Sequence, residues 1–305
     1  MTGGAGFIGS NLAVALEKEG ARVIVIDDFS SADFRNLAQF KGELIARDVH
    51  DVEWEKLGPV DVIFHQAACT DTTVTDQKKM MWNNFEAFRK VLSFAIKQRV
   101  RLVYASSAGV YGNEPPPQSE RGRLNPLNIY AYSKYVGDRL AERSWSEAKA
   151  PVIGLRYFNV FGMGERHKGR SASMILQLAE QMRAGKRPRI FHDGEQVRDH
   201  IYVRDVVTAN LKAAEAKTSA IVNVATGKTT SFNRLIEILN AVLGTNLPPD
   251  YFPNPYGFYQ NCTQADTQLA QKALGFEACF SVEAGMNEYL PVLYGLRSQP
   301  ANSLV

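Results

Sequence analysis

A chain of 305 residues with 45% hydrophobic and 22% charged residues and a net charge of +3 describes an ordinary globular protein, long enough to bury a sizeable core. That charge is too weakly basic to imply a nucleic-acid partner or an anionic membrane surface, and no stretch approaches the roughly 18 apolar residues of a membrane span. Cys69, Cys262 and Cys279 are an odd number without CxxC spacing, which argues against a disulfide framework and against a metal site. The expected compartment is a reducing cytoplasm.

The chain opens on Thr2-Gly3-Gly4-Ala5-Gly6-Phe7-Ile8-Gly9, with glycines at positions 3, 6 and 9 just ahead of a helical pattern. Gly3 and Gly6 would let the backbone turn tightly and approach a pyrophosphate, and Gly9 would let the following helix pack closely on its strand. A glycine triplet alone is an ordinary loop as often as a phosphate site, so context decides. Leu12, Ala13 and Leu16 fall at helical spacing, and the strand pattern Arg22 to Ile26 runs into Asp27-Asp28, where Asp27 is placed to hold a ribose hydroxyl. A dinucleotide fold puts a central parallel strand of about five or six residues ahead of this turn. Here the turn begins at Thr2, and the expectation is a doubly wound fold with a truncated first strand.

Strand and helix then alternate, as in an α/β, Rossmann-type doubly wound parallel sheet. Glu43 to Val49 and Val60 to Ala68 are short apolar runs whose carboxyl ends would line the cofactor crevice. A helix is predicted from Asn83 to Gln98, followed by the strand Arg101 to Ala105, which delivers Ser106-Ser107. Asn113 to Pro126, with Pro115-Pro116-Pro117 inside it, reads as a loop over the site. A helix begins near Asn128, and the strand Val152 to Phe158 ends at Asn159. Beyond it the alternation breaks into the basic loop Glu165 to Arg170, where a second lobe should start. His200 to Val203 and Ile221 to Val224 repeat the buried-strand pattern and are expected to return to the first lobe. The predicted division is a dinucleotide-binding lobe over 1–160, with returns near 200–225 and 262–275. A smaller interleaved substrate lobe takes 161–199, 226–261 and 276–305, with a frayed tail from Ser298.

Tyr130-Ala131-Tyr132-Ser133-Lys134 places a tyrosine and a lysine four apart on one helix face. Alone, this is a solvated helix face. With the glycine turn and Ser107 at a strand end it becomes a hydride-transfer site, in which a phenolate takes the carbinol proton while the nicotinamide takes the hydride. A tyrosine titrates near pH 10, so bringing it to about 7 requires roughly 4 kcal/mol of differential stabilisation, which Lys134 and the cofactor's positive charge could supply. Ser107 would hold the same oxygen in line, with Ser106 as the competing assignment.

TGGAGFIGSN at 2–11, Asp27 at a strand end, HQAAC at 65–69, SSAGVYG at 106–112 and YAYSK at 130–134 together resemble the extended branch of the short-chain dehydrogenase/reductase family, which works on nucleotide-sugars. The resemblance runs over essentially the whole chain. It implies Ser107, Tyr130 and Lys134 as catalytic residues. Within the branch, FHQAACTDTT, KMMWNN, RYFNVFG followed by RHKG, and YQNCTQAD are most similar to epimerases of ADP-activated heptoses in lipopolysaccharide-precursor synthesis. There the matching Lys168 is implied to be a second acid/base facing the tyrosine across the sugar, against a plainer reading as a phosphate contact or solvated charge. The resemblance also implies Gly3, Gly6, Phe7, Ile8, Gly9, Asp27, Asp28, Gln66, Ala67, Ala68, Asn83, Tyr130 and Lys134 at the cofactor. At the sugar nucleotide it implies Asn159, Lys168, Arg198 and Tyr259. It further implies a homo-oligomer.

Departures from that pattern fall at Arg170, where a serine is expected, at Gln177, where a histidine is, and at Asp33, where a cofactor-phosphate lysine is. The expectation is therefore weak discrimination between NAD and NADP, leaning to NADP by resemblance, with Arg35 or the Ser30 and Ser31 hydroxyls as candidate partners for a 2′-phosphate. The leading expectation is a nucleotide-sugar epimerase acting on ADP-heptose, ahead of a UDP-glucose-type 4-epimerase. Ala108-Gly109 stand where 4,6-dehydratases carry Asp-Glu. A catalytically silent dinucleotide sensor or RNA-binding protein is the alternative of another class, and the intact Ser107, Tyr130 and Lys134 argue against it.

Overall fold

The computed structural model describes residues 1–253 and 262–296. The elements run α1 (Phe7–Lys18), β1 (Ile24–Asp27), β2 (Glu43–Ala46), β3 (Val62–His65), α2 (Gln77–Met81), α3 (Ala87–Gln98), β4 (Arg101–Ser107) and α4 (Ile129–Ser144). There follow β5 (Val152–Tyr157), β6 (Asn159–Phe161), α5 (Met174–Arg183), β7 (Arg189–Phe191), β8 (Val197–Arg198), β9 (His200–Tyr202), α6 (Val203–Glu215) and β10 (Ala220–Val224). The chain continues through β11 (Thr230–Ser231), α7 (Phe232–Leu243), β12 (Asp250–Phe252), β13 (Cys262–Thr263), α8 (Gln268–Leu274) and α9 (Val282–Tyr294).

A parallel ladder orders β10-β5-β4-β3, and β1 pairs with β2 alongside it, also in parallel. Thr2 joins the two parts through parallel bridges to both Ile26 and His65. Its N–H donates to the Phe64 carbonyl at 2.9 Å and its carbonyl accepts from Gln66 N at 3.1 Å. The chain reverses direction across the sheet at this point, with β1 and β2 on one side and β3, β4, β5 and β10 on the other. Such a switch point, at the carboxyl ends of the strands, is where an open α/β sheet forms its ligand crevice.

Helices cover both faces. On one, Leu12 of α1 and Val206, Ala209 and Ala213 of α6 pack with Val103, Ile153, Leu155 and Val222 of the strands. On the other, Phe88, Val91 and Leu92 of α3 and Ala141 of α4 pack with Ile26, Ile63, Leu102 and Val152. A separate core joins α5, α7 and α9 through Leu176, Leu178, Leu235, Leu239, Met286 and Leu290. Small ladders surround it: β7 with β12, β6 with β9, and β8 between β11 and β13.

His200 to Tyr202 does not return to the large sheet as a strand. It forms β9, which among the described residues pairs only with β6, the continuation of the chain past the end of β5. Phe158 closes the edge there by donating to the Val224 carbonyl at 3.2 Å, so β10 holds the place beside β5 and β9 lies beyond it. The helix after β9 does return, as α6 on the sheet face. In the 262–275 segment, β13 pairs with β8 while α8 packs with β10. The helix predicted from Asn83 starts earlier, at Gln77, capped by Asp76 accepting from Lys79 N at 2.9 Å, and passes through a π-turn at Trp82–Glu86. A buried polar Asn84 at the turn interrupts the apolar period that pattern reading relies on.

Candidate active site

The glycine turn has the shape its spacing implies. Gly3 sits at φ +66, and a Cβ on it would lie 2.4 Å from Ala67 N; a Cβ on Gly9 would lie 2.0 Å from the Gly3 carbonyl oxygen. Both positions thus exclude any larger residue. Helix α1 starts with no side-chain cap and no acidic residue in its first turn, leaving the N–H groups around Phe7, Ile8 and Gly9 and the positive dipole end open to an anion. A pyrophosphate fits this cradle. Asp27 closes the far side, with its carboxylate accepting from Ala5 N and Phe29 N, each at 2.9 Å. Burial raises its pKa, and the two backbone donors partly offset that. Asp28 faces outward and holds Ser30 through both N–H and hydroxyl.

Across the switch point, Ala67 and Ala68 leave the end of β3 beside Gly3. The Gln66 side chain does not project into the crevice with its chemistry free. Its amide donates to Asn210 Oδ1 at 3.0 Å and accepts from Tyr157 OH at 3.1 Å, so contact with a dinucleotide there is left to the backbone. Asn83 lies half-buried in the π-turn. Its neighbour Asn84 is the residue that pattern reading passed over: buried, it accepts from Cys69 N at 2.8 Å and donates to Cys69 O at 3.0 Å and to Ser133 Oγ at 3.1 Å. One amide thereby fixes the loop after β3 to the helix that carries Tyr130 and Lys134. A π-turn is a common device for delivering such a side chain.

Strand β4 delivers Ser107, whose hydroxyl accepts from Gly109 N at 3.1 Å and starts the 3-10 turn Ala108–Tyr111. Asn128 caps α4 by accepting from Ala131 N at 2.8 Å. The first turns of that helix bring Tyr130 close enough to Ser107 for the serine to favour its phenolate. Ser106 is buried, and its hydroxyl has no partner in the protein. Of the two serines, Ser107 is the one that bears on the Tyr130 hydroxyl.

Lys134, buried one turn on, donates from Nζ to the Ala105 carbonyl at 2.9 Å. Burial depresses its ammonium to about 8, with Asp138 opposing. Tyr130 is instead raised above its ordinary value, by burial first, with the Ser107 hydrogen bond pulling it back and Cys69 pushing it further up. The Lys134 ammonium makes its hydrogen bond to the β4 backbone.

Lys168 lies in the 3-10 turn Arg166–Ser171, partly buried, with Nζ 5.8 Å from the centre of the Phe7 ring. Burial lowers its pKa and Glu165 partly restores it. Glu165 is itself fully buried and organises the turn, accepting from Gly162 N at 2.9 Å and from Ser173 N and Oγ at 2.6 and 2.9 Å. Two amides bind the turn to the dinucleotide cradle. Asn11 of α1 donates to Met163 O at 2.8 Å, and Asn36 donates to Ala5 O at 3.1 Å and Gly164 O at 3.2 Å and meets His167 Nδ1 at 3.2 Å. Neither was visible as a site residue in the sequence.

Asn159 donates to Asp199 O at 2.9 Å and to Thr263 Oγ1 at 3.2 Å. Arg198, in β8, lies 5.9 Å over the Phe232 ring. Asp199 between them is buried and saturated by Thr226, Gly227 and Ala265, which marks it as a structural clamp. Tyr259 lies outside the described residues. Among the described residues no cluster of His, Cys, Asp and Glu could hold a metal, and no helix is long and apolar enough to cross a membrane.

A doubly wound sheet with a glycine cradle at its switch point and a Ser-Tyr-Lys group beside it defines a nicotinamide-dependent enzyme of the extended dehydrogenase type, and the chain belongs to the NAD dependent epimerase/dehydratase family, whose model matches residues 1–225. It is 39% identical over 96% of its length to ADP-L-glycero-D-manno-heptose-6-epimerase of Brachyspira hyodysenteriae, covering 96% of that protein. The solved structure of the Helicobacter pylori ADP-L-glycero-D-manno-heptose-6-epimerase matches with a TM-score of 0.90 and 38% identity over 96% of this chain and 95% of that one. UDP-N-acetylglucosamine 4-epimerase from Methanobrevibacter ruminantium matches with a TM-score of 0.91 but only 29% identity, over 97% of each chain.

Proposed function

We propose that this chain inverts one carbinol carbon of an ADP-linked glycero-manno-heptose. The observation that carries the substrate is the 39% identity to an ADP-heptose epimerase along nearly the whole of both chains, against 29% for the UDP-sugar epimerase of equal structural likeness. The bound nicotinamide supplies reversible hydride acceptance and needs no second substrate to regenerate it. Tyr130 accepts the carbinol proton and Ser107, beside it, holds the reacting oxygen. Lys134 fixes the tyrosine's helix against β4. Inversion demands that hydride leave one face and return to the other, so the oxygen meets an acid/base in each of two poses. Lys168, desolvated and held over Phe7, is the second such group.

Asn159, Arg198 and Tyr259 are assigned to the sugar nucleotide, and Phe7, Ile8, Asp27, Ala67, Ala68 and Asn83 to the dinucleotide. Residues 1–160 with α6, β10 and α8 make up the dinucleotide lobe in this reading, and the α5-α7-α9 core underlies the substrate lobe. We also assign a homo-oligomeric state and a cytoplasmic location. Incubation with ADP-glycero-manno-heptose, UDP-glucose and UDP-N-acetylglucosamine, with epimer ratios followed by NMR, tests the reading. Only the heptose should change. Turnover of a UDP-sugar in preference to it would move the chain to the 4-epimerases, and no turnover of any would return it to a binding protein.

A further inference from the structure

The carboxyl end of β1 continues into an open recess of about 580 Å³ lined by Phe29, Ser31, Asp33, Phe34, Arg35 and His167. In a dinucleotide fold this is the ground beside the adenosine ribose, where the acidic residue ending the second strand meets the ribose hydroxyls and where a 2′-phosphate would have to be received. The charged candidate for a phosphate partner in the recess, Arg35, is already engaged. The Arg35 guanidinium grips Asp33 in a fork, with Nε 2.9 Å from each carboxylate oxygen and an Nη at 2.6 Å. Asp33 also accepts from Arg35 N at 2.9 Å, so both members of the pair sit on one turn of chain. This fork holds the Asp33 carboxyl down at about 2. The Ser30 hydroxyl donates to Asp28 at 2.7 Å. His167, whose ring nitrogen meets Asn36, is lowered by burial and stays uncharged at neutral pH.

We propose that Asp33 is a cofactor-selectivity residue: by holding Arg35 it makes this protein select NAD over NADP. A 2′-phosphate entering the recess could reach Arg35 only by displacing a carboxylate that remains beside it. It would then lie near Asp27, Asp28 and Asp33 with one arginine to offset all of them, an arrangement in which like charge dominates. A plain 2′-hydroxyl carries no such cost and finds Asp27 as its acceptor.

The test is binding by cofactor-stripped protein. NADH and NADPH are titrated by the fluorescence of their nicotinamide in the wild type, in Asp33→Ser, and in Asp33→Ser with Arg35→Ala; serine keeps a side-chain cap for the turn. The wild type should hold NADH at least tenfold tighter than NADPH. Asp33→Ser should tighten NADPH at least tenfold while moving NADH less than about threefold, and the added Arg35→Ala should abolish that gain. Equal affinities in the wild type, or a gain in Asp33→Ser that survives loss of Arg35, would overturn the proposal. Because the readout is binding alone, it stands apart from the choice of sugar.

Discussion

Tyr130 and Lys168 carry opposite burdens in this site. Tyr130 is raised by burial and pulled back by Ser107, so positive charge nearby, from Lys134 or from an oxidised nicotinamide when bound, would favour the phenolate that takes a proton. Lys168 is already lowered by burial and so stands closer to neutrality, suited to exchanging a proton in the second pose. Lys168→Met should therefore suppress epimerisation by about 10² to 10⁴, the usual contribution of a positioned acid/base, with dinucleotide binding intact. Tyr130→Phe should lose a comparable factor. The measurement is kcat and KM for the heptose nucleotide in each variant. A Lys168→Met protein with raised KM and unchanged kcat would make the lysine a substrate-phosphate contact, its plainer reading.

Among the elements, α4 is the one whose placement decides the chemistry, and it is anchored by charge. Asp138, one turn past Lys134, accepts from Arg156 Nε of β5 at 2.9 Å and from Tyr104 OH of β4 at 3.0 Å, and Arg156 also donates to Tyr111 OH at 3.0 Å. Both members of the ion pair are almost wholly buried, at 2% and 1% side-chain exposure. Removing one partner of such a pair leaves an uncompensated charge, at a cost of about 3–5 kcal/mol. Arg156→Met should lower the urea-unfolding free energy by that amount, a large share of a typical 5 to 15 kcal/mol. A loss below about 1 kcal/mol would mean that α4 is held by its apolar face alone.

The same elements show what pattern reading reaches. The glycine turn, Asp27, Ser107, Tyr130 and Lys134 were legible because each sits at a fixed offset from a strand end or on one helix face. Asn84, Asn36 and Asn11 were not. They act by bonding backbone groups in segments far along the chain, Asn11 reaching Met163 and Asn36 reaching Gly164, and no local period encodes such a partner. The strand at His200 to Tyr202 had the apolar pattern of a first-lobe strand, and Ile201 does pack in that lobe's core, but the strand pairs with β6 outside the large sheet. Pattern reports burial on both faces, and β9 satisfies that equally well beside β6.

For the whole molecule, exposed Trp82 at 53%, Leu127 at 44% and Tyr132 at 45% come from α4, the turn preceding it and the π-turn that packs against it. Large apolar side chains exposed on adjoining elements offer ground for a protein interface. Sedimentation should show an oligomer, and Trp82→Asp with Tyr132→Asp should shift it toward monomer; a wild-type monomer at micromolar concentration would refute that assignment. The central claim, that inversion proceeds by hydride loss and return within one site, is tested most directly by isotope. Heptose nucleotide carrying deuterium on the carbon to be inverted is incubated in ordinary water, and the product is read by NMR. The account predicts that the label stays on the inverted carbon. Replacement of the deuterium by solvent hydrogen at the rate of epimerisation would contradict it, since that outcome requires a proton, not a hydride, to leave.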